Sequence, residues 1–280
     1  MQVVQALKAE YPLALLLEVA GLARSTYFYQ QARLSCSPPH GALDAAIQEV
    51  FRRAKGRYGH RRIHQALCTA GWVVARKTVL KRMQVLGVRC QVRRKRFTTY
   101  RGAVGTTAPN VLNRDFTATA PNQKWVTDVT EFRIGEDKLY VSPVMDLYDR
   151  QIIACTVARS AGLPLTTTTL RQAIATLAPA DLPLVHSDQG FHYQHHTWRQ
   201  LLASVGATPS MSRKGNCLDN AVMENFFGHL KAELLLERFP TIDALEEAIP
   251  DYVHWYNHER ISERLKGLSP VHYRTQTLLA

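Results

Sequence analysis

No aspartate or glutamate occurs between Val50 and Arg114, a stretch that carries 17 of the chain's 35 lysines and arginines. With the whole chain at +12, the remainder stands at −5, so the positive charge is concentrated in one region. A segment this cationic repels itself unless a polyanion lies against it, and nucleic acid is the commonest large polyanion in a cell. The competing reading is a merely solvated basic face.

Other absences narrow the field. The five cysteines (Cys36, Cys68, Cys90, Cys155 and Cys217) are scattered and form no Cys-x-x-Cys pair, which argues against a disulfide framework and for reduced thiols. No apolar run reaches the roughly 18 residues of a membrane span. The opening stretch MQVVQALKAEYP lacks the cationic start and apolar core of an export signal. The expectation is a cytoplasmic, nucleoid-associated protein with no membrane contact. No Gly-x-Ser-x-Gly occurs, so there is no nucleophile elbow. His60, His64 and Cys68 have the one-turn spacing of zinc ligands, but without a Cys-x-x-Cys they fall short of a zinc module.

What is present divides the chain. At 280 residues, 46% of them hydrophobic, it can bury two or three folded units. Residues 1–41 read as a helical, helix-turn-helix-sized segment with its turn at Gly21, or as a helical hairpin that packs on something else. Residues 42–100 read as a basic three-helix DNA-binding domain, with helices over Leu43–Ala54, His60–Cys68 and Ala75–Leu86. Its candidate DNA contacts are Arg61, Arg62, Arg76, Lys77, Lys81 and Arg82, followed by Arg93, Arg94, Lys95 and Arg96 where an extended basic linker begins. Phe97 and Tyr100 are available there to stack on bases. That linker occupies 101–121.

From Trp125 the pattern turns to strands: WVTDVTEF, LYVSPVMDLY and QIIACTVA, joined by turns short enough to make them antiparallel neighbours. Pro143 in the second predicts a bulge or local edge. Helices over Leu165–Leu177 and Gln194–Val205 then alternate with strands at Leu182–His186 and Ala207–Met211. Helices over 219–237 and 241–258 follow, the last kinked or restarted at Pro250. The fold class is α/β: a mixed five-stranded sheet with flanking helices, preceded by small all-α segments. The core spans 122–240, and 241–280 is a C-terminal helix and tail.

Asp128 lies in the first strand, Asp188 at the tip of the fourth, and Glu224 about one turn into a helix that opens at Asp219 and Asn220. If the first and fourth strands are neighbours, three carboxylates converge. Clustered carboxylates raise each other's pKa until divalent cations neutralise them. Oxygen-only ligands suit Mg2+ or Mn2+, and two such ions can drive phosphodiester displacement. Asp128, Asp188 and Glu224 are therefore the candidate catalytic residues and metal ligands.

Fifty-nine residues separate Asp128 from Asp188, and 35 separate Asp188 from Glu224. This spacing resembles the Asp-Asp-Glu core shared by retroviral integrases and bacterial insertion-sequence transposases. WVTDVTEF, KLYVSPVMDLYDRQIIA, HSDQG, MSRKGNCLDNAVMENFFGHLK and YNHERISERLKGLSP resemble the catalytic second-frame transposase of the two-frame insertion-sequence family, over roughly residues 43 to 275. The resemblance implies a ribonuclease-H-like core and cleavage at element ends, followed by strand transfer with a DNA 3′-hydroxyl as nucleophile. It implies two Mg2+ or Mn2+ ions on the acidic trio and a DNA contact near the scissile phosphate from Lys231, two helical turns beyond Glu224. It also implies double-stranded DNA as element end and target, a homo-oligomer on that DNA, and a first-frame product as partner or fusion.

Rival readings of the same residues are bland ones. Asp146 and Asp219 are the other acids at hand, and Asp219 fits a helix cap better than a ligand. His186, His192, His195 and His196 read as polar residues lining the site, with His186 close enough to contact substrate. Arg213 and Lys214, in the loop before the Glu224 helix with Asn216 and Cys217, are further candidates for DNA contact. The alternative function is a DNA-binding protein or repressor derived from such an element and no longer catalytic; a simple nuclease is the third.

Overall fold

The computed structural model describes residues 2–35, 40–92, 107–213, 217–234 and 237–279. Three short helices, α1 (Gln2–Leu7), α2 (Leu13–Val19) and α3 (Arg24–Ser35), close on Val4, Leu17 and Tyr27. Gly21, at φ +62°, makes the turn expected there. The basic unit follows as α4 (Gly41–Arg53), α5 (His60–Thr69) and α6 (Arg76–Val85). Each helix offers an i, i+4 apolar pair, Leu43/Ile47, Ile63/Leu67 and Val79/Met83, and these six side chains form its centre.

The larger unit that follows is built on a mixed sheet of six strand segments: β1 (Lys124–Thr127), β2 (Thr130–Ile134), β3 (Asp137–Asp146), β4 (Ile152–Ala158), β5 (Leu184–Ser187) and β6 (Thr208–Met211). The sixth segment arises because WVTDVTEF is divided. Its two halves pair with β3 in one unbroken register, Thr127 with Val144 and Thr130 with Val141, which sets Asp128 opposite Pro143. Proline has no N–H to give, so the ladder opens at Asp128. The hydroxyl of Thr127 donates instead to the Pro143 carbonyl at 2.8 Å. On the other edge of β3 the register with β4 slips between Val144 and Met145, the bulge that Pro143 foretold.

Helices cover both faces. Val126, Leu139, Val141 and Met145 pack against α10 (Ala221–Leu234) and α11 (Ile242–His258). Trp125, Val144 and Val185 pack on the other side against α7 (Leu163–Ile174) and α9 (His196–Ser204), with the short α8 (Phe191–Gln194) before it. The helix does not restart at Pro250, since α11 runs through it as one helix. Its N-terminus is capped by Thr241, whose hydroxyl accepts from the Ala244 amide at 3.2 Å. Beyond it, α12 (Pro270–Leu279) brings Arg274 onto Asp149 and, at 2.8 Å, onto Asp146, two fully buried acids. Among the described residues no helix is long and apolar enough to cross a membrane.

Candidate active site

Strands β1 and β5 run parallel at a constant offset: Lys124 beside Leu184, Trp125 beside Val185, Val126 beside His186. Carried two residues further, the same offset sets Asp128 beside Asp188, on the face that Val126 and His186 share. That is the face covered by α10, which carries Glu224 in its first turn. The start of α10 is pinned to the tip of β1, because Asn220 donates to the Thr127 carbonyl at 3.3 Å, one residue before Asp128.

Each aspartate is held by a backbone amide. The Asp128 Oδ1 accepts from Val129 N at 2.8 Å, and the Asp188 Oδ1 accepts from Gly190 N at 2.8 Å. Gly190 is glycine for a steric reason, since a Cβ there would stand 2.8 Å from the Asp188 carboxylate oxygen. Burial first, then the charge of Asp188 and more weakly that of Glu224, push the Asp128 carboxyl well above its ordinary range, against the Val129 amide and Lys231. Burial raises Asp188 too, opposed by the Gly190 amide and His192, and burial raises Glu224. All three acids therefore resist ionisation where they stand, the electrostatic state that a divalent cation relieves.

The donor set, oxygen only and under mutual repulsion, fits Mg2+ or Mn2+ in its chemistry. It is not a closed cage: among the described residues no three His, Cys, Asp or Glu side chains gather closely enough to hold one ion. That holds equally for His60, His64 and Cys68. There the His64 Nε2 is hydrogen-bonded to the Val74 carbonyl at 2.9 Å, and the ring also touches Cys68 Sγ, at 3.6 Å.

Lys231 is half-buried, with its ammonium 5.5 Å from the centre of the Phe132 ring. Burial lowers its pKa, while Glu131 and Asp128 draw it back up, so it lies within electrostatic reach of the acids. Of the four histidines, His192 stands close enough for its charge to act on Asp188, whereas His186 is placed otherwise than expected. His186 cannot contact substrate: it is 0% exposed, and its two ring nitrogens meet the hydroxyls of Ser210 and Ser212 at 2.9 and 3.0 Å. Burial takes its pKa down to about 4, so it joins β5 to β6 as a neutral ring. His186→Leu should cost about 1–3 kcal/mol of stability by orphaning those hydroxyls, and an unchanged denaturation midpoint would contradict that placement. His192 is tied to the Ala161 carbonyl at 2.6 Å, His195 caps α9 by accepting from Thr197 N at 3.2 Å, and His196 is exposed.

Asp219 is no simple helix cap. Fully buried, it accepts from Asn110 Nδ2, Arg114 Nε and both the amide and guanidinium of Arg213, at 2.8 to 3.0 Å. The Arg213 bond, stronger than the opposing effect of burial, leads a set that holds its carboxyl far below the ordinary range. This knot ties the segment before β1, the end of β6 and the turn before α10 together behind Glu224. Asn220 and Asp219 are the residues sequence reasoning undervalued. Their signal was the run NCLDNAVMENFF, in which two polar residues precede an otherwise apolar helix.

The basic side chains divide into engaged and open ones. Arg62 meets Glu233 at 3.3 Å, Arg82 makes a two-pronged contact with Asp44 at 2.8 and 2.5 Å, Arg61 reaches Glu263 at 3.4 Å, and Arg213 is held by Asp219. Arg76, Lys77 and Lys81 are exposed on α6, with no acid paired to them among the described residues. Arg93, Arg94, Lys95, Arg96 and Lys214 lie outside the described residues.

Two integrase core domain models match residues 118–217 and 224–278, and an HTH-like domain model matches 40–96. The putative transposase InsK for insertion sequence element IS150 of Escherichia coli (strain K12) is 43% identical over 280 residues, which is 100% of this chain and 99% of that protein. The probable transposase for insertion sequence element IS1353 of Shigella flexneri is 42% identical over 278 residues, 98% of this chain and 54% of that protein. Among solved structures, the HTLV-2 integrase catalytic core domain in complex with magnesium aligns with a TM-score of 0.45 and 19% identity, over 56% of this chain and 98% of that one.

Proposed function

Because this chain belongs to the bacterial insertion-sequence transposases built on an integrase core, we propose that it cuts DNA at the ends of its element and joins those ends to a target. It is a polynucleotidyl transferase of the Asp-Asp-Glu type. The observation that supports the finer reading is the parallel register of β1 and β5, which, continued two residues, would set Asp128 beside Asp188 on the face covered by the helix that carries Glu224.

Asp128, Asp188 and Glu224 are the residues that would hold Mg2+ or Mn2+. Bound there, two such ions would activate the attacking oxygen and stabilise the leaving one. Asp128 and Asp188 are anchored by amides, whereas among the described residues no hydrogen bond holds Glu224, so it is the ligand that would close the set. Lys231 holds a phosphate of the DNA beside the acids. In the joining step a DNA 3′-hydroxyl gives up its proton and forms a new bond to phosphorus, while the target strand's bond to its own 3′ oxygen breaks and that oxygen takes up a proton to leave as a new 3′-hydroxyl. No net bond energy is needed, because one phosphodiester replaces another.

Double-stranded DNA, assembly of several copies upon it and cooperation with a first-frame product belong to the same proposal. The open cations of α6 are the part of the basic unit suited to phosphate contact. Replacing Arg76, Lys77 and Lys81 together by Ala should weaken DNA binding and flatten its salt dependence, by up to about 0.9 in slope for each phosphate that is no longer neutralised. An unchanged slope would move the DNA elsewhere. The whole reading is tested with a plasmid carrying the element's ends and Mg2+. Joined products support it, released products without joining indicate a nuclease, and binding without nicking indicates a repressor.

A further inference from the structure

One motif contributes none of the acids: Tyr256–Pro270, YNHERISERLKGLSP. In the fold it closes over α5 of the basic unit. The Tyr58 hydroxyl donates to the Glu259 carbonyl at 3.2 Å and accepts from the Ile261 amide at 2.9 Å. Trp255 and Ile261 join the apolar centre of the basic unit itself. Residues 262–268 form a tight turn closed by a Ser262–Leu268 bridge, and a Cβ on Gly267 would collide with Gln65 of α5.

Beneath this turn lies Glu233, on the helix that carries Glu224 and Lys231. It is 1% exposed, and Arg260 grips it through both oxygens at 2.9 Å, with the Tyr252 hydroxyl at 2.9 Å and Arg62 of α5 at 3.3 Å. Arg57, 5% exposed, donates to the Glu233 carbonyl at 3.1 Å and to Glu237 at 2.6 Å, its guanidinium 4.6 Å from the Trp255 ring centre. A latch meant to open on DNA would be made of wet surface pairs, which contribute little and exchange readily. Exposed pairs such as Arg61–Glu263 and Lys55–Glu237 stand at the rim of this contact, but its centre is buried, apolar and built on ions that separation would strand unpaired, so it is a weld.

We propose that Glu233 and the 256–268 segment form a measuring clamp: they fix the basic unit to the catalytic helix as one body, so that the cut falls at a set spacing from the DNA held on α6. The inference rests on the transposase reading above. Glu233 is a positioning residue, acting through α10, about 13 Å along the helix axis from Glu224 at 1.5 Å per residue.

The test uses the full chain, with spin labels on cysteines placed at Val73 and Glu136 and the other cysteines changed to serine. Tyr58→Phe, which keeps the ring and removes both hydrogen bonds, is compared with Glu233→Gln. The wild type should give one narrow label distance, and both variants a broadened one. On end-bearing DNA with Mg2+, the wild type should cut at one phosphate, and the variants should yield products displaced by a nucleotide or more. Mere loss of folded protein would lower the amount of product without moving the cut. A narrow distance in both variants overturns the clamp, and a broadened distance with an unmoved cut overturns the measuring role. If the wild type cuts nowhere, the transposase reading fails, and the label distances alone decide whether the weld exists.

Discussion

Asp188→Asn is expected to reduce Mg2+-dependent strand cutting and joining by about a thousandfold or more, with Asp128→Asn equivalent and DNA affinity equal or tighter. Metal-assisted stabilisation of a phosphoryl transition state amounts to several kcal/mol, and each 1.36 kcal/mol is about tenfold in rate. The amide replaces one carboxylate oxygen by NH2, which cannot ligate a cation, while the shape and the Gly190 amide bond to the remaining oxygen survive. The substitution also relieves Asp128, whose carboxyl is pushed up by burial and by Asp188, so the variant should fold at least as stably as the parent. Removing a negative charge where phosphate must approach favours binding. Parallel measurements of end binding by filter retention and of joining on the same DNA check this. Retained joining would remove Asp188 from the ligand set, and lost binding would make it a DNA contact instead.

Glu233→Leu should destabilise the chain by about 3–5 kcal/mol, the usual cost of removing one member of a buried ion pair, which corresponds to a fall in Tm on the order of 10 °C. It strips Arg260 of both carboxylate contacts and leaves Arg62 and the Tyr252 hydroxyl unanswered. The double variant Glu233→Leu with Arg260→Leu should recover part of the loss, because the stranded charge is removed as well. The same group predicts acid sensitivity. Burial alone would raise the Glu233 pKa, but Arg260 and Arg62 overcome it and hold it at about 2, below its ordinary 4.5. A carboxyl depressed in the folded state stabilises fully above its unfolded pKa and loses that contribution as pH falls from 4.5 towards 2. The stake is about 3 kcal/mol over that window. Denaturant titrations at pH 6 and pH 3 should show it, and Glu233→Leu should be less pH-dependent between them.

The helices of the basic unit were legible because their apolar residues repeat one turn apart, as Ile63/Leu67 and Val79/Met83 do, and glycines punctuate their ends. The opening of the first strand at Asp128 was half legible: Pro143 announced an irregularity, but its position opposite Asp128 depends on cross-strand register, which no single segment contains. His186 shows the reverse failure. Its nearness to Asp188 in the chain suggested a role at the site, yet full burial and the hydroxyls of Ser210 in β6 and Ser212 just beyond it turned it into a buried strut.

Local order alone determined where charge accumulates, which stretches are helix or strand, and which three acids stand at the right intervals, since these depend on residue type and spacing. Only the tertiary structure decided which cations remain open. An arginine looks the same in the text whether DNA or a buried carboxylate awaits it, and Arg62 and Arg82 found their acids at Glu233 and Asp44. Ion pairing between segments far apart in the chain depends on distance in space, and that distance comes into being when the chain folds.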